Sequence, residues 1–318
     1  GGLVSSLYTP SLETRLYAGG PAESEKNKPK EDKGKKVSEK KNPSADKKKD
    51  GLNLEEKLLA EINHDRIPAG SGSASLDKES SVHCKAHARF LVLNDAYVLQ
   101  GGSTHDEDPF LPGYTAEGAS IAKESNVGYG SVGHLELAVK LQMATPFHRL
   151  PLLHPQVEKI GIGYANLRGK WAAVISVHYN MTNINKDPVI FPYPDQKDVP
   201  LEYIGGERPN PIPGDPDKKG GFPITITWYN GNPPSNFTAE LKTLKGESVD
   251  FWISTPDNPL VKCNGWEKLG VYMVPKHQLK PNTGYKVTLT ATYNPQIWEK
   301  QWQFTTGGKS DISQAAIR

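Results

Sequence analysis

The sequence predicts an α+β protein with two folded parts. Helices followed by a strand hairpin are expected over residues 51–186, and an all-β sandwich over 187–308. Three observations lead there. Apolar residues recur at helical spacing before residue 145 and at period two after residue 156. Beyond residue 188, Pro-rich spacers separate short alternating runs with no helix of useful length. The third is compositional: hydrophobic residues make up 36% of the 318, a low share that a polar N-terminal stretch accounts for.

That stretch, residues 21–50, holds 11 Lys against 7 Asp and Glu, a net of +4 that leaves −2 for the rest of the chain. With no aromatic residue and only Val37 as a β-branched aliphatic, it buries too little to offset the entropy of ordering, so residues 1–50 are expected to be disordered. Interspersed acids favour a solvated linker; a polybasic arm on an anionic surface is the alternative. The chain opens on Gly1 and not on Met, which reads as processing or a fragment. Leu3, Val4, Leu7, Tyr8, Leu16 and Tyr17 are too interrupted for the ~7–15-residue apolar core of a signal peptide and read as the tail of one.

Leu54, Leu58 and Ile62, four apart among charged residues, predict a first helix ending before Pro68. A second is expected over Asp77–Ala96, with Val82, Ala86, Phe90 and Leu93 as its buried stripe. A Gly/Pro-rich loop fills 100–118. A third helix is expected over Gly133–Ala144, stopped at Thr145-Pro146 because proline disfavours helical geometry in the residue before it. Ile160–Ala165 and Trp171–Tyr179 then read as a hairpin joined through Gly169, with Trp171, Ala173, Ile175, Val177 and Tyr179 on one face. In the second part, runs such as Ile224–Trp228 and Tyr285–Tyr293 alternate, and about seven strands in ~120 residues is an immunoglobulin-like pattern. The loop Gly205–Gly221 is too long for a tight turn and is expected as an excursion at one end. Residues 309–318 form a tail.

Several chemistries are excluded or unsupported. No apolar run reaches the ~18–20 residues of a membrane helix. Two cysteines, Cys84 and Cys263, exclude a disulfide scaffold and a multi-thiolate zinc site. No G-x-S-x-G elbow and no phosphate-cradling glycine loop occurs. Tryptophans at strand period are core positions more often than a nucleic-acid platform, so no specific nucleic-acid partner is expected.

Histidine is the main chemical signal. His105 lies in the Gly/Pro loop, Glu117 at the far end of that loop, and His148 just past the third helix. Two imidazoles and a carboxylate can give three ligands to a divalent ion such as zinc and leave one position open. Spacing alone does not join them, and separate solvated histidines are the alternative. His83 and His87, four apart on the second helix, lack the internal Glu of HExxH and read as flanking a buried stripe.

Six segments in order give the region Leu54–Tyr179 a resemblance to the CAP superfamily (SCP domain; cysteine-rich secretory, antigen 5 and pathogenesis-related proteins), nearest its bacterial branch. They are LLAEINHDRIPAG, LDKESSVHCKAHARFL, THDEDP, PGYTAEGASIA, ATPFHRLPLLHP, and the hairpin IGIGYA with the Trp171 strand. The resemblance covers about 125 of 318 residues. It implies an α-β-α sandwich with a cleft whose histidines are His105 and His148, whose first acid is Glu117, and beside which Arg149 lies. It also implies a divalent metal in some members. The family's second acid, near the end of the third helix, has Ala144 and Thr145 in its place. The closing run WQFTTG at 302–307 is similar to bacterial Ig-like modules. The function so implied is a secreted or envelope-associated binding module for an extracellular ligand such as a lipid. The alternatives are a metal-dependent hydrolase at the same cleft and a structural surface protein.

Overall fold

The computed structural model describes residues 53–130, 137–182, 187–293 and 295–309. The Lys-rich stretch and nearly all of the C-terminal tail lie outside them.

Asn53 caps helix α1 (Leu54–Arg66) in a capping box, its side chain accepting from the Glu56 N–H and the Glu56 carboxylate accepting from the Asn53 N–H. Strand β1 (Ser75–Leu76) leads to Asp77, which caps α2 (Lys78–Leu93). The predicted second helix therefore breaks at Asn94, and α3 (Asp95–Leu99) follows. After the Gly/Pro loop come α4 (Ala116–Ala122), β2 (Ser125–Gly130) and α5 (Leu137–Met143). Residues 133–136, the predicted start of the third helix, are outside the described set. Pro146 does more than stop a helix: it occupies the first turn of a new one, α6 (Pro146–Leu152), where its missing N–H costs nothing. Strands β3 (Val157–Leu167) and β4 (Lys170–Tyr179) form the predicted hairpin, turned by Arg168 and Gly169, both at positive φ.

These strands make one sheet in the order β1-β3-β4-β2, with helices on both faces. Cys84, Ala88 and Leu91 of α2 pack on Val127, Ala172 and Val174, with α4 beside them. On the other face, Leu58, Ile62, Val139 and Met143 pack on Ile160, Ile162 and Ile175.

The face that α2 buries is not the predicted stripe. Phe90 is inside, but Val82 is 66% exposed and Leu93 is exposed as well. The buried face carries Ser80, Cys84, His87 and Ala88 instead. Its reason lies in β3. A Cβ at Gly163 would fall 2.0 Å from the Lys85 nitrogen, and one at Gly161 2.6 Å from Ser80 Cβ. Two glycines thus bring the helix backbone onto the sheet, and only a face of small side chains fits there.

The second half contains β5 (Val189–Phe191), β6 (Glu202–Tyr203), β7 (Gly220–Gly221), β8 (Ile224–Thr227), β9 (Ser235–Thr243), β10 (Phe251–Ser254), β11 (Gly270–Pro275), β12 (Gly284–Tyr293) and β13 (Gln296–Thr305). Two antiparallel sheets, β10-β11-β8-β5 and β13-β12-β9, enclose Ile224, Ile226, Trp228, Val271, Leu289, Trp302 and Phe304 between them. The loop between β6 and β7 is an excursion, tied at its base where those two strands pair.

One apolar cluster continues from Leu58 and Ile62 through Val189–Phe191 to Trp228 and Trp302, so buried contacts cross residue 187. Helix α6 carries much of that crossing, and all seven of its residues are buried. A helix apolar or buried all round belongs inside a core. Phe147 packs on Tyr272 with ring centroids 5.4 Å apart, and the Tyr229 hydroxyl donates to the Leu150 carbonyl at 2.7 Å.

Candidate functional site

His148 sits in the first turn of α6 and is completely buried, not exposed in a loop as its sequence position suggested. Its Nδ1 is 2.9 Å from Oε1 of Glu207, which the β6–β7 loop delivers from the other half of the chain. The same oxygen accepts the backbone N–H groups of Phe147 at 2.8 Å and His148 at 2.9 Å. The carboxylate thus takes up two of the free donors at the start of α6, where a negative charge is favoured. Because a carboxylate only accepts, the imidazole donates from Nδ1, and in the neutral ring Nε2 carries the lone pair.

Among the described residues His148 Nε2 has no hydrogen-bond partner, and neither do Trp171 Nε1 and Gln142 Nε2. All three residues line one small cavity of about 30 Å³, bordered also by Leu141, Ile204 and Gly205. The Gln142 amide is oriented by Asn126, whose Nδ2 donates to Gln142 Oε1 at 3.2 Å and to the His148 carbonyl at 2.7 Å. The chamber therefore presents two donors, Trp171 and Gln142, and one acceptor, His148. Its size suits a water or a single-atom ligand, since one water needs ~10–15 Å³ of such space.

The other predicted site residues are placed differently. His105 is buried, and its Nδ1 donates to the Ala122 carbonyl at 3.0 Å. Glu117 is exposed in the first turn of α4. The acid buried in that loop is Glu107, whose Oε1 lies 2.9 Å from His87 Nδ1 while Oε2 accepts the Thr115 N–H. His87 Nε2 faces the Thr104 carbonyl at 2.8 Å, so His87 is a core side chain held on both nitrogens and makes no pair with His83. Among the described residues no three His, Cys, Asp or Glu side chains gather at metal-binding distance, so His105, Glu117 and His148 do not form one ligand set here.

Arg149 does not line a cleft. Its Nε donates to Met143 O and its Nη1 to Pro223 O, each at 2.8 Å. The guanidinium lies 4.7 Å from the Phe191 ring centroid and 4.9 Å from that of Phe222. Full burial pulls its pKa down to about 9. It joins α6 to the sandwich through hydrogen bonds and cation–π contact. Cys84 and Cys263 are both buried free thiols, so no bridge joins the halves, and burial pushes the Cys84 thiol up to about 11, far from a reactive thiolate.

Glu207, Gln142, Trp171 and Asn126 were not among the sequence candidates. Gln142, a polar residue inside an apolar helical pattern, was the one local sign. Glu207 carries none, lying among Gly and Pro in a loop 59 residues from its partner. Neither a protein-family model nor any curated protein matches this sequence. No helix among the described residues is long and apolar enough to cross a membrane.

Proposed function

We propose that the chain is a secreted or envelope-associated binding module, a CAP-type domain followed by an immunoglobulin-like sandwich, and not an enzyme. The observation that supports this reading is the narrowness of the space beside His148, whose Nδ1 is taken by Glu207 and whose chamber is bordered by Ile204–Gly206 of the second half. A hydrolase needs its base in reach of a substrate, and the described residues leave only about 30 Å³ beside His148. The open space lies elsewhere. A cavity of about 410 Å³, bordered by Pro151, Ile175, Val177, Tyr179 and Met181 and by the polar Glu124, Asn126 and His178, has the size and the mixed lining of a site for a ligand with an apolar body and a polar head, such as a lipid. The Lys-rich segment 21–50 would hold the molecule near an anionic surface. The test is native mass spectrometry of the purified protein for co-purified lipid, alongside ester- and peptide-hydrolysis assays. Retained lipid without turnover is expected; turnover that disappears in His148→Ala would overturn the reading.

A second reading, the metal-dependent hydrolase, is favoured by one observation. His148 is anchored through Nδ1 to a carboxylate, the usual support of a metal-ligating imidazole, and leaves Nε2 unpartnered. It requires further ligands that the described residues do not bring to His148. Elemental analysis of wild type and His148→Ala separates the two: stoichiometric zinc lost in the variant supports the hydrolase.

A further inference from the structure

At the seam between the two halves runs a cleft of about 350 Å³ that shares no lining residue with the His148 chamber. Its wall is an arc of rings. His154 lies 4.8 Å from Tyr179 and 4.4 Å from Tyr229, and Tyr229 lies 6.5 Å from Trp266. Tyr179 and His154 come from the helix–sheet half, Tyr229 and Trp266 from the sandwich. Side-chain amides of Gln156, Asn230 and Asn264 and the apolar Met181 and Leu269 complete the lining, and no Asp, Glu, Lys or Arg lies among the described lining residues.

We propose that this cleft binds a neutral polyhydroxylated ligand, an uncharged oligosaccharide segment, by stacking its pyranose faces on the rings and bonding its hydroxyls to the amides. The argument is complementarity of shape, charge and hydrogen bonding. The volume falls within the ~300–1,000 Å³ of small-ligand sites, which concentrate where two structural units meet. Without a charged wall the cleft selects neither a cation nor an anion. A sugar hydroxyl both donates and accepts, and so does an amide. The Asn264 side chain and Asn230 Nδ2 make no hydrogen bond among the described residues, and His154 Nδ1 accepts the Gln156 N–H at 3.1 Å, which leaves Nε2–H as a donor. Burial beside the Arg66 cation holds His154 neutral, its pKa lowered to about 4.

A proline-rich peptide, the other frequent guest of aromatic grooves, fits less well. Such a strand offers carbonyls but almost no N–H groups, so the side-chain oxygens of the amides would go unpaired, and the Tyr229 hydroxyl is already committed to the Leu150 carbonyl. A lipid tail would make no use of the amides.

The test is titration of the full chain with neutral oligosaccharides, tetramers of hexose and of N-acetylhexosamine, followed by the indole N–H resonances, with a proline-rich decapeptide and an apolar dye as competing probes. Two variants report on the site. Asn264→Gly removes the amide at a position whose φ of 48° suits glycine, and Trp266→Phe trims the stacking surface while keeping a ring. Saturable sugar binding that changes little with salt is expected, weakened at least about fivefold by Asn264→Gly, the worth of one hydrogen bond, with the melting temperature unchanged. Absence of saturable binding across the sugar panel, binding indifferent to both variants, or saturation by the decapeptide or dye alone would overturn the proposal. The cleft shares Tyr179 and Met181 with the 410 Å³ cavity, so the titration is run on delipidated protein; sugar binding and lipid retention are then read separately, and failure of one leaves the other standing.

Discussion

His148 Nδ1 and Glu207 Oε1 meet at 2.9 Å in a place where neither side chain reaches solvent. The contact spans the two halves of the chain and caps the helix that docks them. Glu207 Oε1 accepts three protein donors in place of water, while Oε2 is buried with no hydrogen-bond partner among the described residues. Removing it leaves an imidazole and two backbone N–H groups buried without partners. Glu207→Ala is therefore expected to cost about 3–5 kcal/mol, as when one member of a buried pair is deleted. Denaturant unfolding measures this; a stability equal to wild type would show that the contact contributes nothing.

The glycines of β3 make a sharper test of how α2 is seated. Gly163→Ala places a methyl 2.0 Å from Lys85 N and 2.2 Å from Cys84 C, both backbone atoms that cannot rotate away. The helix must lift off the sheet, and a loss of about 3 kcal/mol or more is expected, at the upper end of overpacking costs. Val82→Ser, at the position the sequence put in the buried stripe, should stay within about 0.5 kcal/mol because the side chain faces solvent. The opposite ranking of the two variants in thermal melts would restore the predicted stripe.

How far the fold was legible follows from the range of each signal. The hairpin of β3 and β4 announced itself locally, through period-two apolar runs around Gly169, and so did the alternating strands of the second half. The buried face of α2 did not. Counting apolar residues selected Val82 and Leu93, whereas the true face is defined by glycines about 80 residues away. His148 was legible as a functional candidate but not its surroundings: ATPFHRLPLL read as the end of a helix, although it is a separate helix buried on every side. Glu117 was chosen for its place in a motif. The acids that meet fully buried histidines, Glu107 and Glu207, stand in loops without periodicity, where only the folded chain decides which carboxylate arrives.

Arg66, the last residue of α1, offers a third prediction. Its guanidinium donates to five carbonyls, those of Gly72, Ser71, Leu152, His154 and Val157, and so pins the end of α1 to the segment after α6. Lysine keeps the charge but offers three donors from a single point. At least two carbonyls would then lose their partner inside the protein, at about 1–3 kcal/mol each if they stay dry. Arg66→Lys is expected to lower stability by roughly 2 kcal/mol or more, and a neutral result would mean that water replaces the lost contacts.

His154 gives the pH dependence. In the folded chain, burial and then the Arg66 cation lower its pKa from 6.5 to about 4. Above pH 6.5 the ring is neutral whether folded or unfolded, and it contributes no pH dependence. As the pH falls below 6.5 the unfolded chain takes up the proton first and gains on the folded one. Stability from this group therefore declines between pH 6.5 and about 4, then levels off once the folded state is protonated too. The slope approaches roughly 1.4 kcal/mol per pH unit in the middle of that window. His154→Asn should remove this component while carboxylate protonation at lower pH remains. Unfolding free energies of the two proteins at pH 7, 6, 5 and 4.5 measure it as a widening difference. Parallel curves across that range would mean that the imidazole takes its proton in the folded state as easily as in water, and that the ring is not desolvated between Tyr179 and Tyr229.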